Sequence, residues 1–121
     1  MQLHDLEVYT LSRVISQMSW RMYERFSWQD RKLFGDQWIR AVDSIGANIA
    51  EAFGRYHFRD KNVFHYTARG SLLEAIHWSE LLRERQKISV EELRILLEHL
   101  NRLHHQLNNY IRVTRAQINN D

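Results

Sequence analysis

Apolar residues recur every three or four positions along almost the whole chain, a spacing that a helix gathers onto one face and a strand cannot. Leu6, Tyr9, Leu11, Val14, Ile15, Met18, Met22 and Phe26 predict a first helix over about residues 5–26. Asp5 and Glu7 stand near its start and Arg21 and Arg25 near its end, as the helix dipole favours. Ser27 breaks and restarts the chain, with Asp30 three residues later in a capping-box-like position. The second helix is predicted over about 28–56, with Leu33 or Phe34, Trp38, Ala41, Val42, Ile45, Ile49 and Phe53 inward. Gly35 and Gly46 inside it argue against perfect regularity. Asp60 is the expected N-cap of a third helix over about 60–86, with Phe64, Ala68, Leu72, Ala75 or Ile76, and Leu82 on its inner face. Ser89 and Glu92 form the clearest capping box and open a fourth helix over about 89–118. Leu93, Leu96, Leu97, Leu100, Leu103, Leu107, Tyr110, Ile111 and Ile118 make its stripe, and Asn119–Asp121 is expected to fray. Four helices with short connections imply an all-α chain, one domain over 1–121, folded as an antiparallel up-down four-helix bundle.

Composition agrees with this reading. The 121 residues suit one domain, and the absence of proline and presence of only four glycines fit long helices joined by short turns. With no cysteine, disulfides, thiolate metal sites and cysteine nucleophiles are excluded. No apolar run approaches the ~20 residues of a membrane span, and the N-terminus lacks a signal-peptide core, so a soluble cytoplasmic protein is expected. The net charge of +2 and a pI near 9.2 are a weak electrostatic signature by themselves.

Candidate chemistry is sparse. A di-iron bundle needs two Glu-x-x-His pairs, and only Glu74 with His77 forms one; no two histidines stand four apart to present a zinc pair. No Gly-x-Ser-x-Gly elbow surrounds Ser44 or Ser71, and no glycine-rich loop can cradle phosphate. No metal or cofactor is expected. Arg59…His65 and Arg94…His99 match the Arg-x(4–6)-His spacing of a metal-independent ribonuclease class, in which histidine acts as general acid beside a phosphate-clamping arginine. Seven histidines among many arginines also yield such spacings by chance.

More informative is the fourth helix, which has no acidic residue from His99 to Asn120. Arg102, His105, Asn109 and Arg112 share one face, with Arg115 beyond, and such a stripe can track a phosphate backbone. The bland alternative is a solvated face suited to the helix's C-terminal dipole. Arg55, Arg59 and Lys61 form a second small basic group, diluted by Asp60. Phe53, Tyr56, Phe58, Phe64 and Tyr66 crowd the same corner, either as an apolar plug or as a docking patch for a partner subunit.

The least ordinary segment is Ser44–Arg55. Ser44, Asn48, Glu51 and Arg55 line one helix face beside the apolar Ile45, Ile49 and Phe53, with small residues between. Glu51 and Arg55 are spaced for an i, i+4 ion pair in the favourable order.

Ser44-Ile45-x-Ala47-Asn48-Ile49-Ala50-Glu51 with Gly54-Arg55, followed by Ala68-x-Gly70-Ser71-Leu72-x-Glu74, resembles the four-helix-bundle family of the 23S rRNA intervening-sequence proteins. Gln37 and Arg40-Ala41 fit its pattern, and the helix layout matches over nearly the whole chain. Three departures stand out: Gly46 where the family usually has proline, Ala52 where it has glycine, and Ser27 where the first joint has proline. The resemblance implies a small bacterial, cytoplasmic, non-enzymatic protein that assembles as a homopentamer. Its motif residues would be Ser44, Asn48, Glu51, Arg55, Gly70, Ser71 and Glu74, either tying the second and third helices together or joining protomers. Related bundle proteins are accessory subunits of the reverse transcriptases of diversity-generating retroelements, binding RNA and the polymerase. Three functions are therefore in view: an RNA-associated oligomeric module, a protein–protein adaptor for a partner such as a reverse transcriptase, and the metal-independent ribonuclease.

Overall fold

The computed structural model describes residues 1–121. Four helical rods account for nearly all of it. Helix α1 spans Glu7–Tyr23, after a short 3-10 turn at Leu3–Asp5. The second rod is continuous but not uniform: α2, Trp28–Asp30, passes into a π turn at Arg31–Gly35 and then into α3, Asp36–Gly54. Helix α4 spans Phe58–Glu84 and α5 spans Val90–Ala116, with a final 3-10 turn at Ile118–Asn120. There is no strand, so the expected all-α class and bundle hold.

Cross-helix contacts give the topology. Ser12 meets Gly46 while Ser16 donates to Asp43; Ser44 pairs with Ser71 while Trp38 pairs with Ser79. Rising numbers on one helix match falling numbers on the next, so α1 and α3, and then α3 and α4, are antiparallel. Asn62 reaches Ile111 and Arg115 reaches Tyr66, where α5 returns along α4, and Arg25 reaches Glu92, where α5 starts beside the end of α1. This is the up-down bundle, closed by α5 on α1.

The core is a single cluster, in which Trp38, Ile15, Ile45, Ile49, Leu72, Leu82, Leu96, Leu100, Leu103 and Leu107 are essentially inaccessible. Each contributes roughly 1.5–3 kcal/mol of transfer free energy against chain entropy. Where apolar burial is interrupted, most polar groups are satisfied locally, the Ser19 hydroxyl being buried without a partner. The Trp38 indole N–H donates to Ser79 Oγ at 3.0 Å, and Ser79 Oγ donates to the Ala75 carbonyl at 2.7 Å.

Several expectations need correction. The first helix is shorter at both ends than 5–26, and Val14 is half exposed, since Val8 and Ser12 take the inward positions. Of Leu33 and Phe34, only Phe34 is buried. Phe53 and Phe64 are only partly buried. Asp60 is not the cap of α4: the helix starts at Phe58, and the Asp121 carboxylate accepts from Phe58 N at 2.6 Å and Arg59 N at 3.0 Å. Asn119–Asp121 is therefore no frayed end. Desolvation pulls the Asp121 carboxyl upward, but the two capping N–H groups and nearby positive charge outweigh it and hold its pKa below the ordinary value. The two joints read from Ser27 and Ser89 form as expected. Ser27 Oγ accepts from Asp30 N, and Ser89 with Glu92 makes a complete capping box.

The π turn accounts for the irregularity that Gly35 suggested. One extra residue per turn brings Phe34 and Gly35 inward together, and a Cβ at Gly35 would lie 3.1 Å from the Phe26 ring and 3.2 Å from Tyr23. Gly46 has a similar cause: α3 runs through it unbroken, and a Cβ there would lie 2.8 Å from Ser12 Oγ. At the end of α4, Gln86 adopts a left-handed φ of 61°. Lys87 N then bonds the Leu82 carbonyl and Gln86 N the Arg83 carbonyl, which is a Schellman closure without glycine.

Candidate nucleic-acid interface

The motif residues divide into two groups. Ser44, Asn48 and Ser71 meet between α3 and α4. Ser44 Oγ accepts from Asn48 Nδ2 at 3.0 Å and from Ser71 Oγ at 2.9 Å, and Asn48 Nδ2 also donates to the Ser44 carbonyl at 2.8 Å. This network is half-buried and fastens one helix to the other. Glu51, Arg55, Gly70 and Glu74 are exposed. Arg55 Nη2 pairs with Glu51 at 2.6 Å, and its guanidinium lies 4.6 Å from the Phe64 ring centroid. An exposed i, i+4 pair of this kind adds little stability. Around Gly70 there is open space, and no hydrogen bond or ion pair engages Glu74.

The basic group at residues 55–61 is mostly committed within the chain. Lys61 Nζ donates to the carbonyls of Ala52 and Phe53, closing the C-terminus of α3, and is therefore a structural cap. Arg59 is anchored by its backbone to Asp121 and leaves its side chain exposed. The aromatic corner is not a closed plug: Tyr56 and Tyr66 are exposed, while Phe53, Phe58 and Phe64 are half-buried.

On α5, Arg102, His105, Arg112 and Arg115 are all exposed, and no carboxylate pairs with any of them. Arg112 donates to Asn109 at 3.4 Å, and Arg115 donates to the Tyr66 hydroxyl at 2.9 Å. Across the helix boundary, Arg69 donates to Asn108 Oδ1 at 3.0 Å and stacks over Tyr66 at 5.3 Å. Arg69 and Tyr66 thus extend the cationic surface from α5 onto α4, an extension the sequence reading missed. A signal was available, because residues 61–73 of α4 carry no acidic residue, as His99–Asn120 carry none. Antiparallel packing sets these two acid-free stretches side by side. The acidic half of α5 lies at the other end, where Arg94 is held between Glu91 and Glu98 and Arg25 grips Glu92 at 2.7 Å.

Neither ribonuclease spacing becomes a catalytic pair. His65 is buried, and its Nδ1 lies 2.9 Å from Asn62 Oδ1. Asn62 Nδ2 already donates to the Ile111 carbonyl, so its oxygen is the acceptor and His65 Nδ1 carries the proton. Desolvation, with the nearby Lys61 charge second, pushes the His65 pKa down to about 4, too low for a general acid near neutrality. His99 lies 2.8 Å from the Ile95 carbonyl through Nδ1, and its would-be partner Arg94 is occupied by two carboxylates. Glu74 and His77 are not brought into a ligand set, since no group of three or more histidine, aspartate or glutamate side chains is arranged to hold a metal ion.

The model of the 23S rRNA-intervening sequence protein family matches residues 4–109, and the chain belongs to that family. A crystal structure at 1.70 Å of a protein of unknown function from the S23 ribosomal protein family of Bacteroides thetaiotaomicron VPI-5482 has the same fold, with a TM-score of 0.80. Its sequence is 24% identical, over 86% of this chain and 97% of that one, a likeness that speaks for the fold alone. Among curated proteins no sequence matches. No helix is long and apolar enough to cross a membrane.

Proposed function

We propose that this chain is a non-enzymatic, self-associating helical bundle of the bacterial cytoplasm that binds structured RNA through the acid-free face of α4 and α5. The observation that carries the proposal is the set of Arg69, Arg112 and Arg115, none of them in an ion pair, on two adjoining helix stretches without a carboxylate. Arg102, nearer the middle of α5, is also in no ion pair but lines the groove toward α1 with Glu7 and Glu98. Unpaired guanidiniums bind phosphate oxygens without first breaking an internal pair, and they release counterions when they do so. The modest net charge understates this surface, because the acids of α5, Glu91, Glu92 and Glu98, all stand in its first half.

Self-association is supported by the outer face of α4. Val63 and Leu73 are 54% and 50% exposed there, on the same face as the open Gly70 and the unpaired Glu74. Of these, Gly70 and Glu74 are motif residues, and within the bundle Gly70 faces open space and the Glu74 carboxylate has no partner. A homopentamer is the order that family membership favours. Filter binding of a structured RNA over a range of salt concentrations tests the RNA arm: affinity should fall steeply as salt rises. No binding at low salt overturns it. Native mass tests the assembly arm, and a monomer at all concentrations overturns that.

A further inference from the structure

At the other end of the bundle, where α1 turns into α2, large aromatic rings lie on the surface in contact with cations. Trp20 is 48% exposed and stacks on Tyr23 with ring centroids 5.2 Å apart and planes 24° from parallel. The Arg31 guanidinium lies 4.7 Å from the Tyr23 centroid, and the Tyr23 hydroxyl donates to Asp36 at 2.5 Å. Asp36 also pairs with Lys32, whose ammonium lies 5.9 Å from the ring of Trp28, itself 74% exposed. Trp20, Tyr23, Arg31, Asp36, Lys32 and Trp28 thus form one continuous chain of contacts. Arg31 and Lys32 both sit in the π turn, a helix irregularity that recurs at functional sites.

A core explanation fails for the two tryptophans, because the bundle leaves both rings at the surface. Their neighbours say what kind of surface it is. Arg21 and Arg40 are exposed with no carboxylate within ion-pair distance, and Arg31, over Tyr23, donates through Nη2 to the Glu24 carbonyl at 2.9 Å. Of the three acids in residues 20–40, Asp30 and Asp36 are already paired with Lys87 and Lys32, which leaves Glu24 alone unpaired. A protein partner of ordinary composition would be indifferent to such an excess, and a polyanion with flat π faces would not. We infer that the Trp20–Trp28 corner is a stacking platform for single-stranded nucleic acid, with bases laid on the exposed indoles and the backbone drawn along by Arg21 and Arg40. Stacking on aromatic rings combined with arginine is the general means of holding an unpaired strand without reading its sequence. This corner is distinct from the basic face of α4 and α5, whose Arg112 and Arg115 lie at the opposite end of the bundle and whose Arg69 and Arg102 stand near mid-helix, and it does not depend on that face binding RNA.

The test is a titration of the full chain with a short oligoadenylate, followed by tryptophan fluorescence and by filter binding, alongside an RNA duplex of the same length. The oligoadenylate is expected to quench the exposed tryptophans. Trp20→Ala and Trp28→Ala should each weaken its binding about tenfold or more, from the usual worth of one stacked base. Trp20→Phe should restore most of the affinity, and duplex binding should be unchanged in all three variants. Circular dichroism establishes that the variants fold, as their exposed positions lead one to expect. The proposal is overturned if oligoadenylate does not bind, if the alanine variants bind it as wild type does, or if they lose duplex binding equally. Substituting Arg102, Arg112 and Arg115 together by glutamine separates the two surfaces: it should weaken structured-RNA binding and leave the oligoadenylate quenching intact.

Discussion

The Ser71 hydroxyl donates to the Ser44 hydroxyl at 2.9 Å, across the boundary between α3 and α4, and Asn48 donates to the same oxygen from one turn further along. Two segments that stand well apart in sequence are thereby joined through a single acceptor. Ser44→Ala removes the acceptor that both donors share, leaving Asn48 the Ser44 carbonyl alone, and should cost about 1–2 kcal/mol, with Asn48→Ala costing about 1 kcal/mol. Both are read as a lower midpoint in chemical denaturation. Glu74, exposed and unpaired, should behave differently. Glu74→Ala is expected to leave the denaturation midpoint of the dilute protein unchanged and to shift the oligomer distribution by sedimentation. An oligomer identical to wild type would remove Glu74 from the assembly surface.

Gly46 and Ser12 should be energetically coupled. Alanine in a helix interior is about 0.8–1 kcal/mol better than glycine, but a Cβ at position 46 would meet Ser12 Oγ at 2.8 Å. That oxygen is buried and donates to the Tyr9 carbonyl at 2.6 Å, so it cannot turn away without breaking its bond. Gly46→Ala is therefore expected to be destabilising in the wild-type background and stabilising by about 0.8–1 kcal/mol in Ser12→Ala. A double-mutant cycle by urea denaturation measures the coupling, and additive effects would show that the close approach carries none.

His65 should make the bundle acid-sensitive. Its folded pKa is depressed from 6.5 to about 4, so the unfolded chain takes up a proton at a higher pH than the folded one. The neutral histidine's contribution is fully present above about pH 6.5 and declines as pH falls toward about 4. With partial solvent screening allowed for, the loss amounts to about 2–3 kcal/mol. Asp36, Glu92 and Asp121, whose pKa values are lowered by hydrogen bonding, add losses of the same sign at more acidic pH. His65→Leu should flatten stability between about pH 6.5 and 4 while lowering it throughout, because Asn62 Oδ1 loses its donor. An unaltered pH slope in that variant would assign the sensitivity elsewhere.

The rods themselves were legible because their apolar spacing is long and uninterrupted, and the Ser27 and Ser89 caps because donor and acceptor lie three residues apart. Asp60 misled for the opposite reason. The group that caps α4 is Asp121, brought there only by the return of α5 along α4. The π turn was invisible because one added residue leaves the apolar spacing helical, and only the glycine at position 35 hinted at it. The motif was readable as a pattern, but which half faces inward was not. Ser44, Asn48 and Ser71 differ from Glu51, Gly70 and Glu74 only in the direction that packing gives them. Arg69 escaped notice because it stands on a helix read for its core face, and its place in the basic surface depends on an antiparallel neighbour.

Phosphate-mediated RNA binding by the acid-free face of α4 and α5 is tested most directly by the salt dependence of affinity for a structured RNA. Wild type is compared with the variant in which Arg102, Arg112 and Arg115 are replaced by glutamine. Each guanidinium that no longer neutralises a phosphate should reduce the slope of log affinity against log salt by about 0.7–0.9. A steep slope is predicted for wild type, and for the variant a shallower slope with weaker binding at low salt. Equal slopes and equal affinities in the two proteins would contradict it.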